Sequence, residues 1–373
     1  MTERPHILYL FRGAGHGGDA IATLRLAAAM RDRGMNVRCA ASPFEDRFDA
    51  FSALASTHAL HCDPVPYYDQ RGGSRVRFAA ELARYARKLR PRVVHLVTGN
   101  GFVNPSLAMT LAAAHRGRRI VTLQGVRSHE LTAPNHIRDQ NISERFFHGI
   151  ITPTAYAREC YLLCASRPRQ DQVHVAGNLV GPPTSISRCA MRKALGIACD
   201  AELVLFAARL VETKGPLVAV RAYVRVAEKH PNSTLVLAGD GPELASCRAA
   251  AQGLGDRVRF LGFRDDIANL MNAADIHLAA SQFESFGLTT LEAMAAGALN
   301  VAFDIPATRE LLGGTGRLAA YHDDEPLATH LDWALSNPDQ CRGLAQLAKV
   351  RYETSYSLHA IVQRHLEIYG MTK

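Results

Sequence analysis

Short apolar runs alternate with longer amphipathic stretches from one end of the chain to the other. HILYLF, VRCAAS, VVHLV, RIVTLQ and IITPT mark the first half, and LVLFAA, TLVLAG, VRFLG, IHLAA and LNVAF the second. Runs this short and this uniformly apolar predict strands buried on both faces, as in parallel sheets. Between them lie segments such as AIATLRLAAAMRDRG and LVAVRAYVRVAEKHP, whose apolar positions recur at helical spacing. Strand and helix in strict alternation predict an α/β chain of doubly wound parallel sheets with helices on both faces.

The chain has 373 residues, more than one hydrophobic core usually organises. GNLVGPPTSIS, rich in Gly, Pro and Ser, precedes a fresh start of the pattern and predicts a linker over 177–187. Two Rossmann-like domains follow, 1–180 and 181–356, with HAIVQRHLEIYG in 357–373 expected to form a helix crossing back to the first. Two such domains facing a central cleft would place the carboxyl ends of their strands around a ligand.

Composition changes little in this picture. With 47% apolar and 21% charged residues the chain is that of a soluble globular protein. MTERPHILYLF lacks the long apolar core of a signal peptide, and no segment reaches the roughly 20 apolar residues of a membrane span, so a cytoplasmic location is expected. The eight cysteines show no CxxC pairs and no pattern of a disulfide framework or zinc site.

Charge is uneven. Residues 1–180 hold 24 Lys and Arg against 14 Asp and Glu, a balance of +10, which leaves 19 against 21, or −2, for the rest. RGGSRVRFAAELARYARKLRPR (71–92) is the densest basic run. It reads first as a solvated helix face and second as a weak electrostatic contact with an anionic membrane surface. No nucleic-acid recognition motif accompanies it.

Candidate chemistry lies in loops after the strands. FRGAGHGGD ends the first strand with Gly13, Gly15 and Gly18 in GxGxxG spacing, where backbone amides meet an anionic group or simply make a turn. The second strand ends Ala40-Ala41-Ser42-Pro43, its first acid being Glu45, so the ribose-binding acid of an NAD site is missing. In the second domain LVLFAARLVETKG places Arg209 and Lys214 after a strand, where a guanidinium and an ammonium would hold a diphosphate. LAGDGP and FLGF bring Gly239 and Gly262 to other strand ends, small enough to admit a flat base. ESFGLTTLE puts Glu284 in a loop and Glu292 about one turn into the next helix. The amides of Gly287, Leu288 and Thr289 suit phosphate oxygens, and the two carboxylates suit sugar and ribose hydroxyls. Asp265-Asp266, the nearest thing to a metal-binding pair, reads as a helix cap, and no metal is expected.

The order AARLVETKG, LAGDGP, FLGF and ESFGLTTLEAMAAG closely resembles the C-terminal half of retaining GT-B glycosyltransferases of the family 4 type, with their E-x7-E element. GHGGDAIATLRLAAAM resembles that family's glycine loop and first helix. The resemblance implies a nucleoside-diphosphate sugar as donor substrate, UDP-sugar favoured, no cofactor, and transfer with retention and without metal. The acceptor it implies is a glycan or glycolipid of the cell envelope, with a small natural product as the alternative. It further implies that Arg209 and Lys214 bind the diphosphate, Glu292 the ribose and Glu284 the transferred sugar. Gly17, Gly18, Gly239, Gly262, Phe263, Phe286, Gly287, Leu288 and Thr289 would complete the donor site.

Two positions depart from the pattern. Where members often carry a histidine near the reacting sugar, this chain has Gln124, with His129 five residues on; and the usual NGVD element reads GNLVG. Glutamine hydrogen-bonds a hydroxyl but shuttles no proton. A sugar-nucleotide 2-epimerase on the same architecture stands beside the transferase reading, and the changed Gln124 adds an inactive binding module as a third.

Overall fold

The structure, a computed structural model, describes residues 5–11, 17–41, 48–65, 75–99, 103–126, 134–164, 170–181, 186–321 and 323–372. The chain divides into two compact units, one of Met1–Leu179 with Tyr356–Lys373, the other of Val180–Ser355.

In the first unit β1 (Ile7–Phe11), β2 (Val37–Ala41), β3 (Cys62–Pro64), β4 (Val93–Thr98), β5 (Arg118–Leu123), β6 (Gly149–Thr152) and β7 (Val173–Val175) form one sheet. Its order is β3-β2-β1-β4-β5-β6-β7 and its pairings are parallel. In the second unit β8 (Glu202–Ala207), β9 (Ser233–Ala238), β10 (Val258–Phe260), β11 (Ile276–Ala279), β12 (Leu299–Phe303) and β13 (Arg317–Ala319) pair in parallel in the order β10-β9-β8-β11-β12-β13.

The unbroken apolar runs have a direct cause. Successive strand side chains point to opposite faces. Ile7, Tyr9 and Phe11 enter one core while Leu8 and Leu10 enter another. In β8 Val204 and Phe206 go one way, and Leu203, Leu205 and Ala207 the other. With helices on both faces, both sets are largely apolar. Three strands, β3, β7 and β13, escape the sequence pattern. Each has three residues and lies at a sheet edge, too short to show a pattern by itself; β10, equally short at the other edge of the second sheet, is marked because its apolar positions continue into Leu261.

The helix Leu358–Tyr369 belongs to the first unit although it ends the chain. Its Ile361, Val362 and Ile368 share a core with β1. Polar bonds inside that core fix its position: the Tyr369 hydroxyl lies 2.5 Å from His95 Nδ1 and 3.2 Å from the Tyr9 hydroxyl, and His95 Nε2 lies 2.6 Å from Thr122 Oγ1. Burial holds His95 well below the usual imidazole range and His365 at about 4, so both are neutral at pH 7.

The basic run forms the helix Arg75–Leu89, which buries Leu82 and Ala86 and leaves Arg84, Arg87 and Lys88 exposed. Arg71 lies outside the described residues. Among the described residues no helix is long and apolar enough to cross a membrane. Although the cysteine spacing shows no pairing pattern, Cys189 and Cys199 form a disulfide that joins the helix Arg188–Ala194 to the segment before β8.

Candidate functional site

In the second sheet the strand order reverses between the neighbours β8 and β11. Chains leaving the carboxyl ends of two such strands diverge and open a crevice, the usual ligand position in doubly wound sheets. The loop after β8 carries Arg209 and Lys214, and the loop after β11 carries Glu284.

Backbone contacts hold this rim together. A Cβ at Gly239 would stand 1.8 Å from the Ala208 carbonyl oxygen, and one at Gly215 would stand 2.3 Å from that of Ala280. Both glycines are there for close approach of main chain to main chain. Gly239 therefore packs main chain against main chain at the rim. Leu210 N donates to Asp240 O at 2.8 Å, Gln282 N to Thr213 O at 3.0 Å, and Gly239 N to Gly262 O at 2.7 Å. The loops after β8, β9, β10 and β11 thus form one hydrogen-bonded edge.

On that edge the Lys214 ammonium lies 2.5 Å from Glu284 Oε1, the two side chains 23% and 20% exposed. Arg209 is exposed and has no side-chain partner among the described residues. Phe263, beside Gly262, is 81% exposed, an apolar ring offered to solvent at a strand end. Phe286 differs: its ring is 2% exposed and packs the loop, so only its backbone can face a ligand.

The helix after Glu284 runs Leu288–Ala296 with Gly287 as its N-cap and no side-chain cap. The first N–H groups of a helix lack intrahelical acceptors, so the Gly287, Leu288 and Thr289 amides can take an anion. Glu292 is the fifth residue of this helix and half-buried. Asp266 does precede a helix, Ile267–Ala273, but it makes no side-chain cap. Instead it accepts Arg264 Nε at 2.8 Å and Nη2 at 2.7 Å.

Two supporting residues lay outside the sequence reading. His277 in β11 and Asn300 in β12 are register partners, both fully buried. His277 Nδ1 lies 2.8 Å from Asn300 Oδ1, and Asn300 Nδ2 donates to Thr290 O at 3.3 Å. Since that amide oxygen only accepts, His277 donates from Nδ1. Burial lowers the His277 pKa to about 4, against the opposing pull of Asn300 and Glu284. This chain of bonds ties the helix bearing Glu292 to the sheet. Its signal in the sequence is a polar residue in each of two otherwise apolar runs.

In the first unit Gly17 is the N-cap of the helix Gly18–Asp32, and both glycines are exposed. A Cβ at Gly17 would lie 2.4 Å from Asp19 Oδ1, and one at Gly99 would lie 3.0 Å from Asp19 Oδ2. A carboxylate thus sits between the helix start and the end of β4. It disfavours phosphate there and suits a hydroxyl. Gly13, Gly15, Glu45 and His129 lie outside the described residues. Gln124 follows β5, and its side-chain amide is bonded to that of Asn178 in both directions, each at 2.9 Å.

Residues 187–351 match the family model for glycosyl transferases group 1. The phosphatidyl-myo-inositol mannosyltransferase of Mycobacterium leprae is 30% identical over 337 residues, covering 86% of this chain and 84% of its own. The D-inositol 3-phosphate glycosyltransferase of Thermobispora bispora is 32% identical over 61% of this chain and 56% of its own. Among solved structures, Anabaena Alr3699/HepE in complex with UDP superposes with a TM-score of 0.83 at 22% identity, over 98% of this chain and 100% of that one. Two parallel α/β units, a reversal of strand order flanked by Arg209, Lys214 and Glu284, and a relative similar along most of both chains converge on one assignment: the chain belongs to the group 1 glycosyltransferases and has the GT-B fold.

Proposed function

We propose that the chain transfers a sugar from a nucleoside-diphosphate sugar, UDP-sugar in preference, to a hydroxyl of a glycan or glycolipid, with retention at the anomeric carbon and without a metal. The observation that carries this reading is the meeting of Lys214 with Glu284, beside exposed Arg209, at the β8/β11 reversal. In the reaction the bond from the anomeric carbon to the diphosphate breaks and the acceptor oxygen bonds that carbon on the same face. The acceptor's proton leaves with the diphosphate.

Two cations beside the diphosphate stabilise the charge that develops on it, the task a divalent ion performs elsewhere. The amides of Gly287, Leu288 and Thr289 add donors for phosphate oxygens. Glu284 accepts hydroxyls of the transferred sugar and Glu292 those of the ribose. The name of one relative, a phosphatidyl-myo-inositol mannosyltransferase, supports a lipid acceptor, that of the other, a D-inositol 3-phosphate glycosyltransferase, favours the small-molecule alternative, and the UDP of the structural neighbour supports the choice of donor. The exposed Arg84, Arg87 and Lys88 would give weak, salt-sensitive contact with an anionic membrane.

Incubation with UDP-, GDP- and ADP-sugars in EDTA, with and without phosphatidylinositol, tests the reading. Release of nucleoside diphosphate coupled to a glycosylated acceptor of unchanged anomeric configuration is the expected result. An isomerised donor with no acceptor consumed would make the chain an epimerase, and loss of turnover in EDTA restored by Mg²⁺ would overturn the metal-free site.

A further inference from the structure

We propose that Asn178, the asparagine that GNLVG shares with the family's NGVD element, is the positioning residue of Gln124. The inference rests on the transferase reading, in which Gln124 meets the transferred sugar.

The geometry is that of two primary amides face to face. Gln124 Nε2 donates to Asn178 Oδ1 and Asn178 Nδ2 donates to Gln124 Oε1, both at 2.9 Å. The residues are 6% and 7% exposed, so water does not compete freely for either amide. Both ends are fixed by the main chain. Gln124 N donates to Thr98 O at 3.0 Å at the end of β4. On the other side Ala176 N donates to Thr152 O at 3.3 Å, and Gly177, at φ 77°, turns the chain through the left-handed region so that Asn178 follows.

A closed pair of this kind needs an amide at each position. An imidazole at 124 has no donor and acceptor side by side in one plane and would leave one Asn178 group buried and unbonded. Once paired, Gln124 keeps one N–H and one oxygen lone pair in a fixed orientation, enough to bond a sugar hydroxyl. Asn178 touches no substrate in this account; it acts through Gln124.

The test compares Asn178→Ala with the exchanged double variant Gln124→Asn/Asn178→Gln, which keeps the amide pair but moves it by one methylene. Displacement of a positioned group by about 1 Å can cost about a hundredfold in rate. In Asn178→Ala, kcat should fall at least tenfold while UDP affinity, measured by titration, stays at the wild-type value, because the residues assigned to the diphosphate lie in the other unit. The exchanged variant should regain the wild-type melting temperature without regaining kcat. Wild-type kcat in either variant overturns the assignment, since a pair that merely holds the fold would be repaired by the exchange. A fall in UDP affinity equal to the fall in kcat also overturns it. A wild-type protein that turns over no nucleotide sugar overturns the transferase reading, and this assignment with it; turnover in the wild type with no loss in Asn178→Ala overturns the assignment alone.

Discussion

Lys214 and Glu284, 70 residues apart, form a half-buried ion pair at 2.5 Å across the reversal of the second sheet. In the proposed reaction a diphosphate approaching the ammonium would therefore meet a carboxylate already bonded to it. The family resemblance assigns the glutamate to the sugar and the lysine to the phosphate, with no coupling between them. The pair makes them competitors. Glu284→Gln should remove that competition and raise affinity for free UDP about three- to tenfold, the modest gain expected of a partly solvated pair. The same change should lower kcat about 10- to 100-fold through loss of a charged acceptor for the sugar hydroxyls. Titration with UDP beside steady-state kinetics checks both; equal or weaker UDP binding in the variant would show that the pair does not restrain Lys214.

Glu292 should behave in the opposite way. It stands in a helix whose first turn is tied to the sheet through Asn300, and its proposed partner, the ribose, stays in place while the sugar moves. An interaction made equally in ground and transition states affects KM and leaves kcat alone. Glu292→Gln should raise the donor KM and weaken free UDP by about 1.5 to 3 kcal/mol, with kcat within about twofold of wild type. A variant that binds UDP normally but turns over slowly would remove the ribose assignment.

Arg209 separates binding from stability. Its side chain is exposed and bonded to nothing among the described residues, so Arg209→Ala should leave the melting temperature unchanged, as for surface substitutions that break no contact. UDP affinity should nevertheless fall at least tenfold, because a charge-assisted phosphate contact is worth about 1.5 to 3 kcal/mol. Thermal shift with and without UDP reads both effects in one experiment.

These contrasts also mark what the chain discloses and what it withholds. Strands such as β1 and β8 are legible because both faces are buried and nearly every position is apolar, whereas β3, β7 and β13 are only three residues long and leave no pattern. Glu284 and Glu292 are legible because a loop-to-helix transition at Gly287 follows a clear strand. Their environment is not. The Lys214–Glu284 pair joins loops distant in sequence, His277 meets Asn300 only through the register of β11 on β12, and Gln124 meets Asn178 across 54 residues. Such contacts depend on which strands become neighbours, and local periodicity does not encode that.

His277 carries a pH dependence whose sign follows from its burial. Its folded pKa of about 4 lies below the 6.5 of a free imidazole, so the unfolded chain binds the extra proton first as pH falls. The stability that His277 contributes is fully present above about 6.5 and is lost progressively between there and about 4. At about 1.4 kcal/mol per pKa unit the window amounts to about 3 kcal/mol. The proton would enter at Nε2, because Nδ1 already donates to Asn300 Oδ1. His277→Gln retains an amide able to donate to Asn300 and has no charge to gain. Denaturant unfolding of the second unit, followed from pH 7 to pH 4, should therefore show a slope in the wild type that is shallower in the variant by about 3 kcal/mol over the window. Wild-type and variant curves that run parallel would show that His277 does not titrate on unfolding and that the acid sensitivity of this unit lies elsewhere.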